Sequence, residues 1–150
     1  MPPGFFLFFA LIQIAFAGPP DWSIPAPGPL RAAALRDANT LYAWGPKGLY
    51  EWNLAKRHVQ QIAEGDYSAG GCWTDEFGLI TERSHVLESQ KYGVIDRNVY
   101  LADCLQATLF GRTGIVLIHR NSQVRFYERP SEPGAARWPY VEIYSIYTYV

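Results

Sequence analysis

Leu41-Tyr42-Ala43-Trp44, Gly45-Pro46-Lys47-Gly48 and Leu49-Tyr50-Glu51-Trp52 are consecutive, and together they carry the first architectural signal in the chain. Two short runs rich in aromatic and aliphatic residues flank a Gly/Pro segment, the pattern of two strands joined by a tight turn. The pattern returns twice. Leu79-Ile80-Thr81 leads through the polar turn Glu82-Arg83-Ser84-His85 to Val86-Leu87. Val116-Leu117-Ile118 leads through His119-Arg120-Asn121-Ser122-Gln123 to Val124-Arg125-Phe126-Tyr127. Leu49, Val86 and Val124 open the second strand of each hairpin, at steps of 37 and 38 residues.

A near-constant step marks an internal repeat, and a period near 40 with about four short strands per unit is the signature of a propeller blade. Upstream, Gly65-Asp66 and Ala102-Asp103 stand 37 apart, each at the start of a segment leading to the next hairpin. The fold class expected is therefore all-β, with about three blade-like antiparallel repeats of a partial or open β-propeller over residues 37–150. Composition agrees: 15% aromatic residues, 13 Gly and 11 Pro in 150 residues suit a turn-rich β chain, and 49% hydrophobic content excludes wholesale disorder. With 13 basic and 14 acidic residues, a net charge of -1 and no long block of either sign, the chain lacks a nucleic-acid footprint.

Residues 5–17 (FFLFFALIQIAFA) form an apolar run ending in Ala15-Phe16-Ala17 before Gly18, the apolar core and A-x-A site of a secretory signal. Thirteen residues are too few to span a bilayer as a helix. The expectation is a signal peptide over 1–17 and a secreted or periplasmic product without a transmembrane segment. Residues 18–36 read as a Pro-rich leader. Within and beyond its end, residues 30–38 (LRAAALRDA) have the best helical propensity in the chain. The closing segment, residues 141–150, is an alternating aromatic strand without a polar cap, which invites pairing with another chain. It suggests the start of a longer propeller, or a segment that self-associates through open edge strands.

Residues 65–81 (GDYSAGGCWTDEFGLIT) and 102–127 (ADCLQATLFGRTGIVLIHRNSQVRFY) resemble the FG-GAP or VCBS-type repeats of integrin-alpha-like β-propellers. In those repeats an acidic, Gly-rich loop leads into an apolar strand and an outer hairpin. Residues 48–54 (GLYEWNL) also resemble a G-L-Y-x-W/Y-D-L strand found in many other propellers. The resemblance covers roughly residues 37–149. It implies a D-x-D-x-D-G type loop for Ca²⁺, a hard cation that takes several oxygen ligands. Here Asp66 and Asp75 are the candidate ligands, with Ser68 and Gly70 between them; the second loop keeps Asp103 but then runs through Leu105, Ala107 and Arg112, whose charge repels a cation. Carboxylates that shape turns are the competing reading, in which no cofactor is bound.

Cys72 and Cys104 are the two cysteines, 32 residues apart. An oxidising compartment lets them pair; otherwise they act as small buried apolar side chains. No zinc spacing is present. His58, His85 and His119 fall in or beside predicted turns, where exposure is the default, and no G-x-S-x-G elbow or phosphate-cradling loop accompanies them. Asp75-Glu76 are adjacent and point to opposite faces of a strand, so they do not form a glycosidase pair. Aromatic residues are the most suggestive binding surface. Trp44, beside the Gly45-Pro46 turn and expected to be exposed, and Trp52 are the candidate ligand platforms. The function expected is extracellular binding of a protein or glycan partner without catalysis. Its alternative is the N-terminal part of an extracellular propeller enzyme acting on polysaccharide, with catalytic residues elsewhere.

Overall fold

A computed structural model describes residues 22–67, 69–132 and 134–143. The signal-peptide reading of residues 1–17 and most of the closing aromatic segment lie outside them. The described residues form twelve strands and no helix. The first sheet holds β1 (Ala32–Leu35), β2 (Thr40–Gly45), β3 (Gly48–Asn53) and β4 (His58–Glu64). The second holds β5 (Gly71–Thr74), β6 (Gly78–Arg83), β7 (Val86–Ser89) and β8 (Gly93–Arg97). The third holds β9 (Leu101–Leu109), β10 (Arg112–His119), β11 (Val124–Tyr127) and β12 (Tyr140–Ile143). Each sheet is an antiparallel meander with its strands in chain order.

The three hairpins seen in the sequence are the second and third strands of the three sheets. Third strands begin at residues 48, 86 and 124, a step of 38 each time, whereas first strands begin at 32, 71 and 101, steps of 39 and 30. The repeat is thus regular in the outer hairpin and irregular in the inner strand. For the same reason Gly65-Asp66 lies between β4 and β5, while Ala102-Asp103 lies inside β9, so the two pairs are not equivalent.

Local chemistry accounts for the turns. Arg83 pairs with Val86, leaving Ser84 and His85 as a two-residue loop with φ of 53° and 66°. Positive φ at both central residues is the turn whose twist matches the flanking strands. The predicted turn therefore contracts by two residues, and Glu82 and Arg83 belong to β6.

Residues 30–38, the stretch of highest helical propensity, form a strand at Ala32–Leu35 instead. Ala32 and Ala34 pack against the Tyr42–Trp44 cluster while the backbone pairs with β2. An isolated segment of this length gains little from helical propensity, and a waiting sheet edge supplies a full ladder. The first sheet thus takes its first strand from the stretch read as leader.

The sheets meet along their first strands, β1 beside β5 and β5 beside β9. Hydrophobic layers fill the gaps between them. Tyr42, Trp44 and Leu49 of the first sheet close on Tyr67 and Leu79. Phe77, Ile80, Leu87 and Ile95 of the second close on Leu101, Ile115, Leu117 and Tyr127 of the third. On the far side of the first sheet, Ile24 of the leader joins Ala43, Tyr50 and Trp52. The far side of the third sheet is different: Leu105, Ile118, Val141 and Ile143 are exposed there, in cross-strand rows set by the register.

Candidate functional site

Alternation along β10 sends Ile115, Leu117 and His119 to one face, all buried. The ladder to β9 slips between Ile118 and His119, a bulge of the kind that re-aims a side chain. His119 is 7% exposed, which corrects the expectation that it is a surface residue of a turn. Its ring is the next member of an apolar row, not the first residue of a loop. The backbone N–H of Tyr100 donates to His119 Nε2 at 3.3 Å. An imidazole that accepts at Nε2 carries its proton on Nδ1 when neutral. Burial lowers the pKa of His119 and Arg125 adds to the effect, against an opposing pull from Glu82 and Glu142, so the neutral form is favoured.

Arg125 follows from the same face of β11, opposite Leu117 in the register. One of its terminal nitrogens donates to the Tyr127 hydroxyl at 3.1 Å and lies 3.5 Å from Asp96 Oδ2 on β8. Burial opposes the guanidinium charge, but the Tyr127 hydroxyl and neighbouring groups outweigh it and hold the pKa above its ordinary value. Buried Tyr127 itself donates to Asp96 Oδ2, and burial raises the pKa of its phenol.

One atom on each of these two side chains stands apart. His119 Nδ1 and Arg125 Nε are buried and have no hydrogen-bond partner among the described residues. A buried donor without an acceptor costs about 1–3 kcal/mol, which is why such groups are rare and concentrate where something binds.

Both residues line one cleft of about 520 Å³ on the third sheet's side of the junction with the second. Asn98 and Tyr100 form one wall, and Arg120, Asn121 and Gln123 the other. Tyr100 is 40% exposed, its ring 4.3 Å from that of His85 and 5.7 Å from that of His119. Glu82 is buried beneath this rim: Oε1 accepts from the Leu101 N–H at 2.6 Å and Oε2 lies 3.3 Å from His85 Nδ1. Arg120 is tied down by its Nε–H to Leu101 O at 3.2 Å. Among the described residues no carboxylate lines this cleft, whereas four other surface clefts each contain at least one. Of its two arginines, Arg125 is paired with Asp96 and Arg120 carries the exposed charge.

The residues singled out from the sequence lie elsewhere. Trp44 is 1% exposed, a correction to its expected exposure: the indole fills the gap between the first two sheets over Gly71, and Nε1 donates to Ala69 O at 3.0 Å. Trp52 is 5% exposed, packed edge-on to Tyr50. Asp66 sits in the β4–β5 connection, and Asp75 in the β5–β6 turn, where its carboxylate is 3.4 Å from Trp73 Nε1. Among the described residues no group of three or more His, Cys, Asp or Glu side chains is placed to hold a metal ion. Cys72 of β5 and Cys104 of β9 form a disulfide, with Cα atoms 5.7 Å apart, between the first strands of neighbouring sheets. Sequence reasoning missed the cleft because it treated His119 and Arg125 as turn and strand residues in separate contexts; the alternation Ile115-Leu117-His119 was the available signal.

No helix among the described residues is long and apolar enough to cross a membrane. No family model, curated protein or solved structure matches the chain.

Proposed function

We propose that the chain is a secreted, non-enzymatic binding protein whose sheets are blades of a partial β-propeller of the FG-GAP/VCBS type, and that the His119–Arg125 cleft is its ligand site. The observation that carries the binding reading is the pair of buried, unpartnered N–H donors in residues that line one cleft. Three consecutive four-stranded meanders that meet along their first strands support the blade reading. The disulfide between two of those strands supports passage through an oxidising compartment. Self-association belongs to the same reading, supported by the exposed apolar rows on the third sheet.

The test is secretion of the full chain followed by N-terminal sequencing and binding to an array of glycans and peptides, with product analysis of every ligand retained. A mature terminus at Gly18 and retention without turnover are expected. Turnover of a bound polysaccharide, or no retention on any ligand class, contradicts the proposal.

A further inference from the structure

The three sheets leave two outer faces, and they are finished differently. On the first sheet the leader supplies a cover: Ile24 packs with Ala43, Tyr50 and Trp52, and the Trp22 ring is anchored 4.6 Å from the Arg57 guanidinium. On the third sheet Leu105 and Val141 share one cross-strand row and Ile118 and Ile143 the next, all four exposed. Among the described residues they join none of the hydrophobic clusters that hold the sheets together. Four strands about 4.8 Å apart make this face roughly 15–20 Å across. The opposite face of the same four strands packs against the second sheet through Ile115, Leu117 and Tyr127. A contiguous apolar face of this size marks a contact with another protein surface.

What flanks the face identifies the occupant. Exposed Asp103 stands opposite Ile118 at one end, and alternation from Val116 through Gly114 puts Arg112 on the same face at the other end. The Arg112 side chain is 67% exposed although one terminal nitrogen meets Glu128. Beyond it the β9–β10 hairpin outruns β11, whose pairing with β10 stops at Ile115, and turns at Phe110, 87% exposed with φ of 55°. A bulky residue at positive φ with its ring uncovered is unfavourable on both counts, and such residues concentrate at sites of contact. Laid on an identical face with strand directions reversed, the acidic end meets the basic end twice, and each Phe110 tip extends over the base of the other sheet. With strand directions matched, the two acidic ends would meet instead. The face is thus complementary to a second copy of itself. We infer that two copies of the chain pair through their third sheets as an antiparallel, twofold-symmetric dimer, Asp103 of each beside Arg112 of the other. The leader closes the first sheet, so assembly stops at two. This inference rests on the self-association in the proposed function and adds its surface, orientation and copy number.

The experiment is sedimentation equilibrium of the secreted, disulfide-bonded chain across a wide concentration range, beside Leu105→Lys and Val141→Lys, both at exposed positions. The chain is expected to reach twice the monomer mass and no more. Each lysine enters a symmetric interface twice and is expected to weaken pairing at least tenfold with an unchanged circular dichroism spectrum. Orientation is read with Arg112→Lys: a carbodiimide activates the Asp103 carboxylate and takes up the water released as the introduced amine forms an amide with it. Within one copy positions 103 and 112 lie about 20 Å apart along the strands, so a 103–112 link found by mass spectrometry joins different copies. Growth beyond the dimer overturns the closed pair and leaves self-association standing. A dimer indifferent to both lysines overturns the choice of face, and a dimer without the 103–112 link overturns its orientation. A monomer throughout means that another segment of the chain or a different protein covers the face; it overturns the inference together with self-association, and ligand binding is then judged by the array alone.

Discussion

The Tyr127 hydroxyl on β11 donates to Asp96 Oδ2 on β8 at 2.5 Å, so a buried phenol and a buried carboxylate join the second sheet to the third. Asp96 Oδ1 accepts from the Arg97 N–H at 2.7 Å, and Arg125 approaches Oδ2 from the cleft side. The contact thus fixes the Arg125 head whose Nε remains unpartnered.

Tyr127→Phe removes the hydroxyl and leaves the carboxylate short of its closest donor. A hydrogen bond to a charged group contributes about 1.5–3 kcal/mol, and a loss of that size in chemical denaturation is expected. A loss below about 0.5 kcal/mol contradicts the assigned role of the contact.

Reduction of Cys72–Cys104, or paired replacement by Ala, frees a loop spanning a sequence separation of 32. The loop-entropy contribution for that length is about 3–4 kcal/mol. The denaturation midpoint should fall accordingly, with hydrogen exchange rising first in β5 and β9.

Gly71→Ala tests why Trp44 is buried. A Cβ at this position would lie 2.8 Å from the Trp44 ring and 2.7 Å from Ile80 O, with backbone on one side and a packed indole on the other. Overpacking of this kind costs about 1–3 kcal/mol. Tryptophan fluorescence should also shift to the red as the ring is displaced.

Stability should fall as pH drops below about 6.5. His119 has a lowered pKa in the folded state, so in that window the unfolded chain takes up the proton first and folding loses free energy. His119→Gln should flatten the slope between pH 7 and 5. Asp37, whose carboxylate is held low mainly by the Asn39 N–H, acts in a separate window below the ordinary Asp value and does not obscure it.

The outer hairpins were legible because alternation and turn chemistry are local: Leu49, Val86 and Val124 mark them by spacing alone. The strand at Ala32–Leu35 was not, because its conformation comes from pairing with β2 and not from its own residues. Trp44 looked exposed beside its turn, yet its burial depends on a gap over Gly71, 27 positions away and in another sheet. Beyond the alternation Ile115-Leu117-His119 that turns His119 inward, the cleft was illegible for the same reason. His119 and Arg125 acquire meaning only from the register of β10 with β11 and from Tyr100 across the junction.

The most direct test of the account is the tautomer of His119, read from long-range ¹⁵N–¹H correlations of the folded chain at neutral pH. With Nε2 accepting from the Tyr100 N–H, the proton is expected on Nδ1, as the unpartnered donor of the cleft requires. A proton on Nε2 would remove that donor and contradict the reading of the cleft as a ligand site.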